Sequence, residues 1–494
     1  MTVLKPTKAA ARGTSVDPTP VELHLVEAGA QAPALFLIEP YLQLSKHYQV
    51  GTKSRLLVRW YTALKGDDWK VFYRCQDEYI FRQAEVGRKK VELLAGQTHS
   101  RCQAELVDLS CGKSFEYRIT RAGKEVFRHQ ASAPMAGGQP CRIGVFGDLA
   151  DGGEGSKLMA RRMHEQKPHL VVMPGDIVYD FGRTCEYLQK FFPVYNAPDT
   201  ASGAPLLRSV VCAAAVGNHD VGTPKQTEAP SLADMPDLFA YFQFWAQPQN
   251  GPKLSRLRLK DGSRSARHLL KVLGRGFSKR SNYSFRFGST YWLVLDANKY
   301  MDWTDKKLRR WLEEELKSSA AARWKFVSFH QPPFSSDVKY KHDQRMRVLC
   351  EVFEKHGVDA VFSGHCHYYE CSRPLRYRVM DGSRPRCDAE LTGKGNAAET
   401  TVPGLMALDM EFDGHEHCVP KGVLYIITGA AAKLPDEAHT PSPSHFTRRL
   451  RSDKQSLTIL DVEDEQVIIR QVGPDGFDLD RFTIRKSPAA ARAA

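Results

Sequence analysis

Val171 to Tyr179 reads VVMPGDIVY. Its apolar run breaks at Pro174-Gly175 and delivers Asp176 and Tyr179 just beyond the break. A short apolar run bounded by turn residues reads as a buried strand, and open α/β sheets gather their ligands at the carboxyl ends of such strands. Asp176 is therefore expected at a carboxyl edge. A carboxylate there has two oxygens free to face two cations, and a tyrosine three residues on can reach one of the same cations from the loop. We read Asp176 as the bridge of a two-metal site. A Gly-Asp pair before an apolar residue is also an ordinary turn, so the neighbouring strand ends must decide.

Outward from this strand, apolar strands alternate with helices, the pattern of a largely parallel sheet covered by helices. Arg142 to Phe146 is a strand ending in Gly147-Asp148, and Lys157 to Gln166 is the crossover helix that Pro168 stops. Ser209 to Val216 ends in Gly217-Asn218-His219-Asp220. Asn218 offers a neutral oxygen to a metal and leaves His219 free for proton or phosphate work. Asn282 to Asp296 gives two strands around Gly288, and a helix from near Thr304 carries Leu308, Trp311, Leu312 and Leu316 on one face. Lys325 to Phe329 ends in His330, where Pro332-Pro333 forbids continuation. A helix from Asp343 to His356 precedes the strand Ala360 to Phe362, which breaks at Ser363-Gly364 and presents His365-Cys366-His367. Histidines at i and i+2 on a loop can each reach a different metal of a pair, and Cys366 between them points away from both.

Five strand ends thus present Asp148, Asp176 with Tyr179, Asn218 with His219, His330, and His365 with His367. One turn aspartate or one core histidine is commonplace. A run of hard oxygen and imidazole donors, each just after an apolar strand, points to a binuclear metal site.

The motifs GDLA (147–150), GDIVY (175–179), GNHD (217–220), VSFH (327–330) and GHCH (364–367) resemble the calcineurin-like metallophosphoesterase superfamily. Tyr179 within GDIVY narrows the resemblance to the purple acid phosphatase-like branch. PYLQ at Pro40 to Gln43, followed by VRWY at Val58 to Tyr61, is similar to the start of that family's fibronectin-like domain. The resemblance implies an α/β metallophosphoesterase sandwich of two mixed sheets flanked by helices, preceded by an all-β fibronectin/Ig-like sandwich. It implies that Asp148, Asp176, Tyr179 and His367 hold a first metal, Fe(III) in the family. By the same comparison Asp176, Asn218, His330 and His365 hold Fe(II), Zn(II) or Mn(II). Phenolate and carboxylate suit a hard trivalent ion, and a phenol of pKa about 10 needs such an ion to ionise near neutral pH.

The implied reaction is hydrolysis of a small phosphomonoester. Two cations roughly 3.5 to 4 Å apart bind the phosphoryl oxygens, generate the attacking hydroxide from bound water, and stabilise both attacking and leaving oxygens. His219 would protonate the leaving alkoxide. His342, which follows His330 where the family often has a substrate-facing histidine, would assist, although it also reads as a surface histidine in YKHD. A phosphodiesterase acting on cyclic nucleotides, nucleic acid or phospholipid headgroups would use the same site. Ala150, Asp220 and Gln331 depart from the family's usual glycine, glutamate and histidine, and none of these changes removes a ligand.

Within 494 residues the expected order is an unstructured arm (1–33), the β-sandwich (34–135), a Gly137-Gly138 linker, the catalytic domain (140–486) and a short tail (487–494). In the sandwich, Leu56 to Tyr61, Trp69 to Tyr73, Gln103 to Val107 and Phe115 to Ile119 read as short strands between turns. Insertions are expected near 221–281, with the aromatics Phe239, Tyr241, Phe242, Phe244 and Trp245 serving as packing, and near 371–420, where His415 and His417 read as a solvated loop.

The composition, 42% hydrophobic and 26% charged, is that of a soluble globular protein, and no run approaches the roughly 20 apolar residues of a membrane span. The first twenty residues lack the apolar core of a secretory signal, so the expected location is cytoplasmic. The eleven cysteines contain no Cys-x-x-Cys, and reduced thiols are expected, with Cys102 and Cys111, or Cys387 and Cys418, the pairs open to bridging. A net charge of +13 favours an anionic substrate. Ten Lys or Arg against Asp261 alone between Lys253 and Arg280 read as a solvated insertion rather than a nucleic-acid surface, because aromatic interleaving is thin.

Overall fold

The computed structural model of the protein describes residues 34–45, 53–66, 68–94, 96–223, 230–252, 264–380, 386–387, 400–435 and 440–486. The strand Leu170–Met173 lies at the centre of a ten-stranded sheet, hydrogen-bonded in parallel to Cys141–Val145 on one side and Val211–Ala214 on the other. All four of its residues are buried. Val171 and Met173 enter the core beneath the helices, while Leu170 and Val172 enter the core facing a second sheet. This two-sided burial is why the run is continuously apolar rather than alternating.

The second sheet has seven strands, in the order Tyr283–Phe287, Thr290–Val294, Trp324–Ser328, Ala360–Ser363, Leu424–Thr428, Tyr369–Ser372 and Thr447–Arg451. Its inner residues Trp292, Phe326, Phe362 and Ile426 share one core with Ile143, Val172 and Leu460 of the first sheet. Tyr291, Leu293, Val327 and Val361 face the outer, helix-covered core. The architecture is therefore two mixed sheets face to face with helices outside, as the family resemblance implied and where the strand pattern alone suggested one largely parallel sheet. On the outer face, Asp305 accepts from the backbone N–H groups of Lys307 (2.8 Å) and Leu308 (3.2 Å) and so starts the helix Lys306–Ser318. Leu308, Leu312 and Leu316 are its buried stripe.

The N-terminal region is all-β, and its sheets differ from the expected self-contained sandwich. Ile38–Leu44, Lys53–Thr62, Gln97–Ser110 and Val86–Leu94 pack over a four-stranded sheet of Arg82–Ala84, Trp69–Cys75, Ser114–Arg121 and Lys124–Ser132. The first four strands also extend the ten-stranded sheet, through the parallel pairing of Gln43 with Cys212. The linker at 136–140 thus divides the chain without dividing the sheet, and Leu35–Ala494 clusters as one compact unit.

Other expectations need adjustment. The helix expected from Asp343 to His356 is a 3-10 turn, Arg345–Leu349, running into a short α-helix, Cys350–Lys355. The tighter winding aligns Met346 and Leu349, three apart, on one buried line. The aromatic insertion is core, with Phe239, Tyr241, Phe242, Phe244 and Trp245 all buried. The basic segment contains a helix, Arg264–Leu273, that buries Ala266 and Leu269, while 253–263 fall outside the described residues. In the second insertion, Leu375–Val379 and Gly404–Leu408 pair antiparallel. His415 and His417 sit on an exposed loop whose backbone N–H groups are gathered by the Asp413 carboxylate. Cys102, Cys111 and Cys418 are unbridged thiols, and the side chain of Cys387 lies outside the described residues. Among the described residues no helix is long and apolar enough to cross a membrane.

Candidate metal centre

The loops leaving the carboxyl ends of both sheets meet, and the expected donors fall into two groups. In one, the Tyr179 hydroxyl donates to Asp148 Oδ1 at 3.0 Å and lies 3.2 Å from His367 Nε2. His367 Nε2 is itself 3.6 Å from Asp148 Oδ1, so phenol, carboxylate and imidazole form a triangle around one point. In the other, His330 Nε2 stands 3.0 Å from Asp176 Oδ2 and 3.1 Å from Asn218 Oδ1. Ligand atoms of Asp176, His330 and His365 all lie within 4.8 Å of one another.

The backbone that aims these groups is constrained. Asp148, Asp176 and His365 have φ of 60°, 48° and 69°, a region that costs an L-residue on the order of 1 kcal/mol or more and is tolerated where function demands it. Gly175, at φ 95°, has no such freedom to change, because a Cβ there would lie 2.8 Å from both the Gly217 backbone nitrogen and His330 Nδ1. Asp148 accepts twice from the His365 backbone N–H, at 2.9 and 3.1 Å, which ties the last motif to the first. Asp220 ties the second motif to the third: it is buried and accepts from the N–H of Ile177 (3.1 Å) and of Gly217 (2.8 Å).

Hydrogen bonds also fix the imidazole tautomers. Carbonyl oxygens only accept, so His330 Nδ1 donates to Pro174 O at 2.9 Å and leaves Nε2 for the site. His219 Nδ1 likewise donates to Asp180 O at 2.6 Å, which turns Nε2 inward, 3.9 Å from Asp176 Oδ2.

The electrostatics suit cations. Burial opposes charge on both Asp176 and His330, but their attraction wins: the carboxyl is held below the usual range and the imidazole is raised to about 9. Burial, reinforced by His330, keeps His365 neutral, with a lone pair to give. Burial and the Asp148 carboxylate push the Tyr179 phenol well up, so a phenolate here requires a compensating cation. Burial and the Asp176 charge raise Asp220 to about 8. The donor chemistry fits two ions of different hardness: Asp148, Tyr179 and His367 for a harder one, Asn218, His330 and His365 for a softer one, with Asp176 between.

A cleft of about 570 Å³ opens over these groups. Asp176, Asn218, His219 and His365 line its floor, and Phe181, Lys339, Tyr340, Lys433 and Leu434 its walls. His342 is not among the lining residues. The Asp337 carboxylate accepts from the N–H groups of Lys339 and Tyr340, and the turn so formed puts Tyr340 inward, its ring 4.1 Å from that of His365. Tyr340 and Lys433 are the residues that sequence reasoning missed. Tyr340 stands two residues from His342 in an unpatterned loop, and Lys433 was marked only by the glycine and alanines before it.

Residues 141–369 match the family model described as Calcineurin-like phosphoesterase. Among curated proteins, the chain is similar to Fe(3+)-Zn(2+) purple acid phosphatase 12 of Arabidopsis thaliana, 24% identical over 344 residues, which is 66% of this chain and 64% of the relative. Purple acid phosphatase 23 of the same plant is 25% identical over 56% of each chain. The chain thus spans less than two thirds of the length of these relatives. In fold it resembles purple acid phosphatase PPD1 from yellow lupin (Lupinus luteus) seeds, with TM-score 0.63 at 14% identity over 92% of this chain and 77% of that one. It also resembles PhoD, with TM-score 0.57 at 10% identity over 93% and 92%.

Proposed function

We propose, from the premise that residues 141–369 of this chain form a calcineurin-like phosphoesterase domain, that the protein is a binuclear-metal phosphoesterase hydrolysing small phosphomonoesters. The observation that carries this reading is the convergence of Asp148, Tyr179 and His367 on one point, with Asp176, Asn218, His330 and His365 beside it. The first group, with Asp176, would hold Fe(III), and the second, sharing Asp176, would hold Fe(II), Zn(II) or Mn(II). Such a pair supplies charge to polarise the phosphoryl oxygens and lowers the pKa of water at the site.

The chain's own residues supply the rest. With Nδ1 anchored to Asp180 O, His219 can carry a second proton on Nε2 and pass it to the leaving oxygen. Tyr340 packs on His365 and keeps water from that side of the ring. Lys433, whose Nζ lies 5.1 Å from the Tyr179 ring centroid, and Lys339 bring positive charge to the cleft, where a phosphomonoester carries one more negative charge than a diester.

Two measurements test the proposal. p-Nitrophenyl phosphate assayed beside its bis ester should turn over with the higher kcat/KM, and preference for the diester overturns the monoester assignment. Metal analysis with a visible spectrum should find two metals per chain and a ferric phenolate band; a colourless, iron-free and active protein overturns the iron assignment.

A further inference from the structure

A second cavity, of about 550 Å³, lies on the N-terminal half of the ten-stranded sheet and shares no lining residue with the metal cleft. Arg59, Arg101 and Arg280 line it together with Gly87, Phe242 and Trp245. The strand register explains the arrangement. Arg59 lies opposite Gln103 and Tyr61 opposite Arg101, which puts Arg59 and Arg101 on one face as diagonal neighbours, roughly 7 to 8 Å apart by sheet geometry. Gly87 lies opposite Gln103 on the next strand, and its missing side chain leaves the cavity open above them.

Three like charges in one cavity need a compensating ligand. Among the described residues, Arg101 makes no ion pair or side-chain hydrogen bond, and its Nε is buried without a partner. Arg59 is 95% buried, gives its terminal nitrogens to Phe244 O (3.2 Å) and Gln103 Oε1 (3.0 Å), and keeps Nε buried and unpartnered. Arg280 donates to Phe242 O at 2.9 Å and lies over the Phe242 ring. The two acids of the lining do not neutralise them: Glu105 is engaged by Ser45 and Arg55, and Glu85 is exposed at the rim. Burial and the repulsion of Arg59 depress Arg101, and burial with both other arginines does the same to Arg280. A buried cation without a partner is costly, so such a cluster is stable where an anion completes it.

We propose that this cavity is a binding site for a tetrahedral oxyanion, free or as the ester group of a small molecule whose flat apolar part rests on Phe242 and Trp245, separate from the metal centre. Guanidinium forks match such oxyanions bidentately, and the aromatic floor offers an ester the contact that a bare ion does not use.

The test is calorimetric titration of the full, metal-loaded chain with sodium sulfate and with p-nitrophenyl sulfate, at ionic strength held constant with chloride. Sulfate should bind saturably at one site distinct from any it occupies at the metals, and the affinities compared below are those of this site. Affinity should fall at least tenfold in Arg101→Gln and in Gly87→Leu, which fills the cavity, and should be unchanged in His367→Ala. Arg101→Gln should melt at or above the parent temperature in sulfate-free buffer, because it removes an uncompensated charge; this separates lost binding from lost folding. Tighter binding of p-nitrophenyl sulfate identifies an ester as the ligand and equal affinity a free oxyanion, and either supports the site. Absence of saturable heat, full affinity in both cavity variants, or loss of binding in His367→Ala overturns it.

Discussion

His219 separates two ways of acting in the cleft. Its ring packs on that of Tyr179, 4.3 Å between centroids, but its Nε2 stands 3.9 Å from Asp176 and its Nδ1 is anchored on Asp180 O, so the imidazole hydrogen-bonds to no proposed ligand. Removing it should therefore spare the metals and cost the proton. His219→Ala is expected to lower kcat for p-nitrophenyl phosphate by about 10² or more with metal content unchanged, in the range typical of general acid loss. Equal loss of metal would place His219 in the ligand set. Asp220 acts differently, through the backbone alone. Asp220→Ala removes both acceptor oxygens and leaves the Ile177 and Gly217 N–H groups buried without a partner, so about 1 to 3 kcal/mol of stability should be lost in denaturant melts. The donors were legible in the sequence because each follows an apolar strand and a turn. Tyr340, Lys433 and the tying role of Asp220 were not, because their placement depends on loops from separate motifs meeting.

At the level of elements, alternation and apolar runs located the strands, but a local pattern does not say which face meets which. Lys124–Ser132 illustrates this: it is an edge strand of the four-stranded sheet, yet it docks on the short helix Leu206–Ser209 through His129 Nε2 and Ser209 Oγ at 2.8 Å. Burial, with the positive Arg208 nearby, depresses His129 to about 4. The folded protein thus keeps this imidazole neutral while the unfolded chain protonates it near pH 6.5. Between those two values the unfolded state binds more protons, so stability falls as pH drops from about 6.5 to about 4 and this contribution levels off below. His129→Gln should flatten that part of the profile of melting temperature against pH. An unchanged slope would assign the acid sensitivity to other groups.

Across the whole molecule, the division into sandwich and catalytic domain follows the composition of the chain but not its hydrogen bonding. The pairing of Gln43 with Cys212 joins segments nearly 170 residues apart, and no local pattern announces it. Around that seam, the Tyr41 hydroxyl donates to Phe244 O (2.8 Å), the Tyr61 hydroxyl to Gln243 O (2.7 Å) and the Tyr117 hydroxyl to Arg208 O (2.9 Å). Asn196 Nδ2 donates back to Glu39 O (3.1 Å), and the Arg208–Glu39 ion pair closes the edge. A chain starting at residue 136 would lose all of these partners. It would expose the strand Val211–Ala214 as an open edge, together with Phe244 and the inner-core residues that meet Val58 and Trp60. Open apolar edges aggregate. The fragment 136–494 is accordingly expected to be insoluble or to lack a cooperative melt by circular dichroism and gel filtration, although it keeps every proposed metal ligand. Recovery of the full-length melting temperature and turnover from that fragment would establish that the N-terminal β-region is an appendage and that the catalytic sheet ends at Ala214.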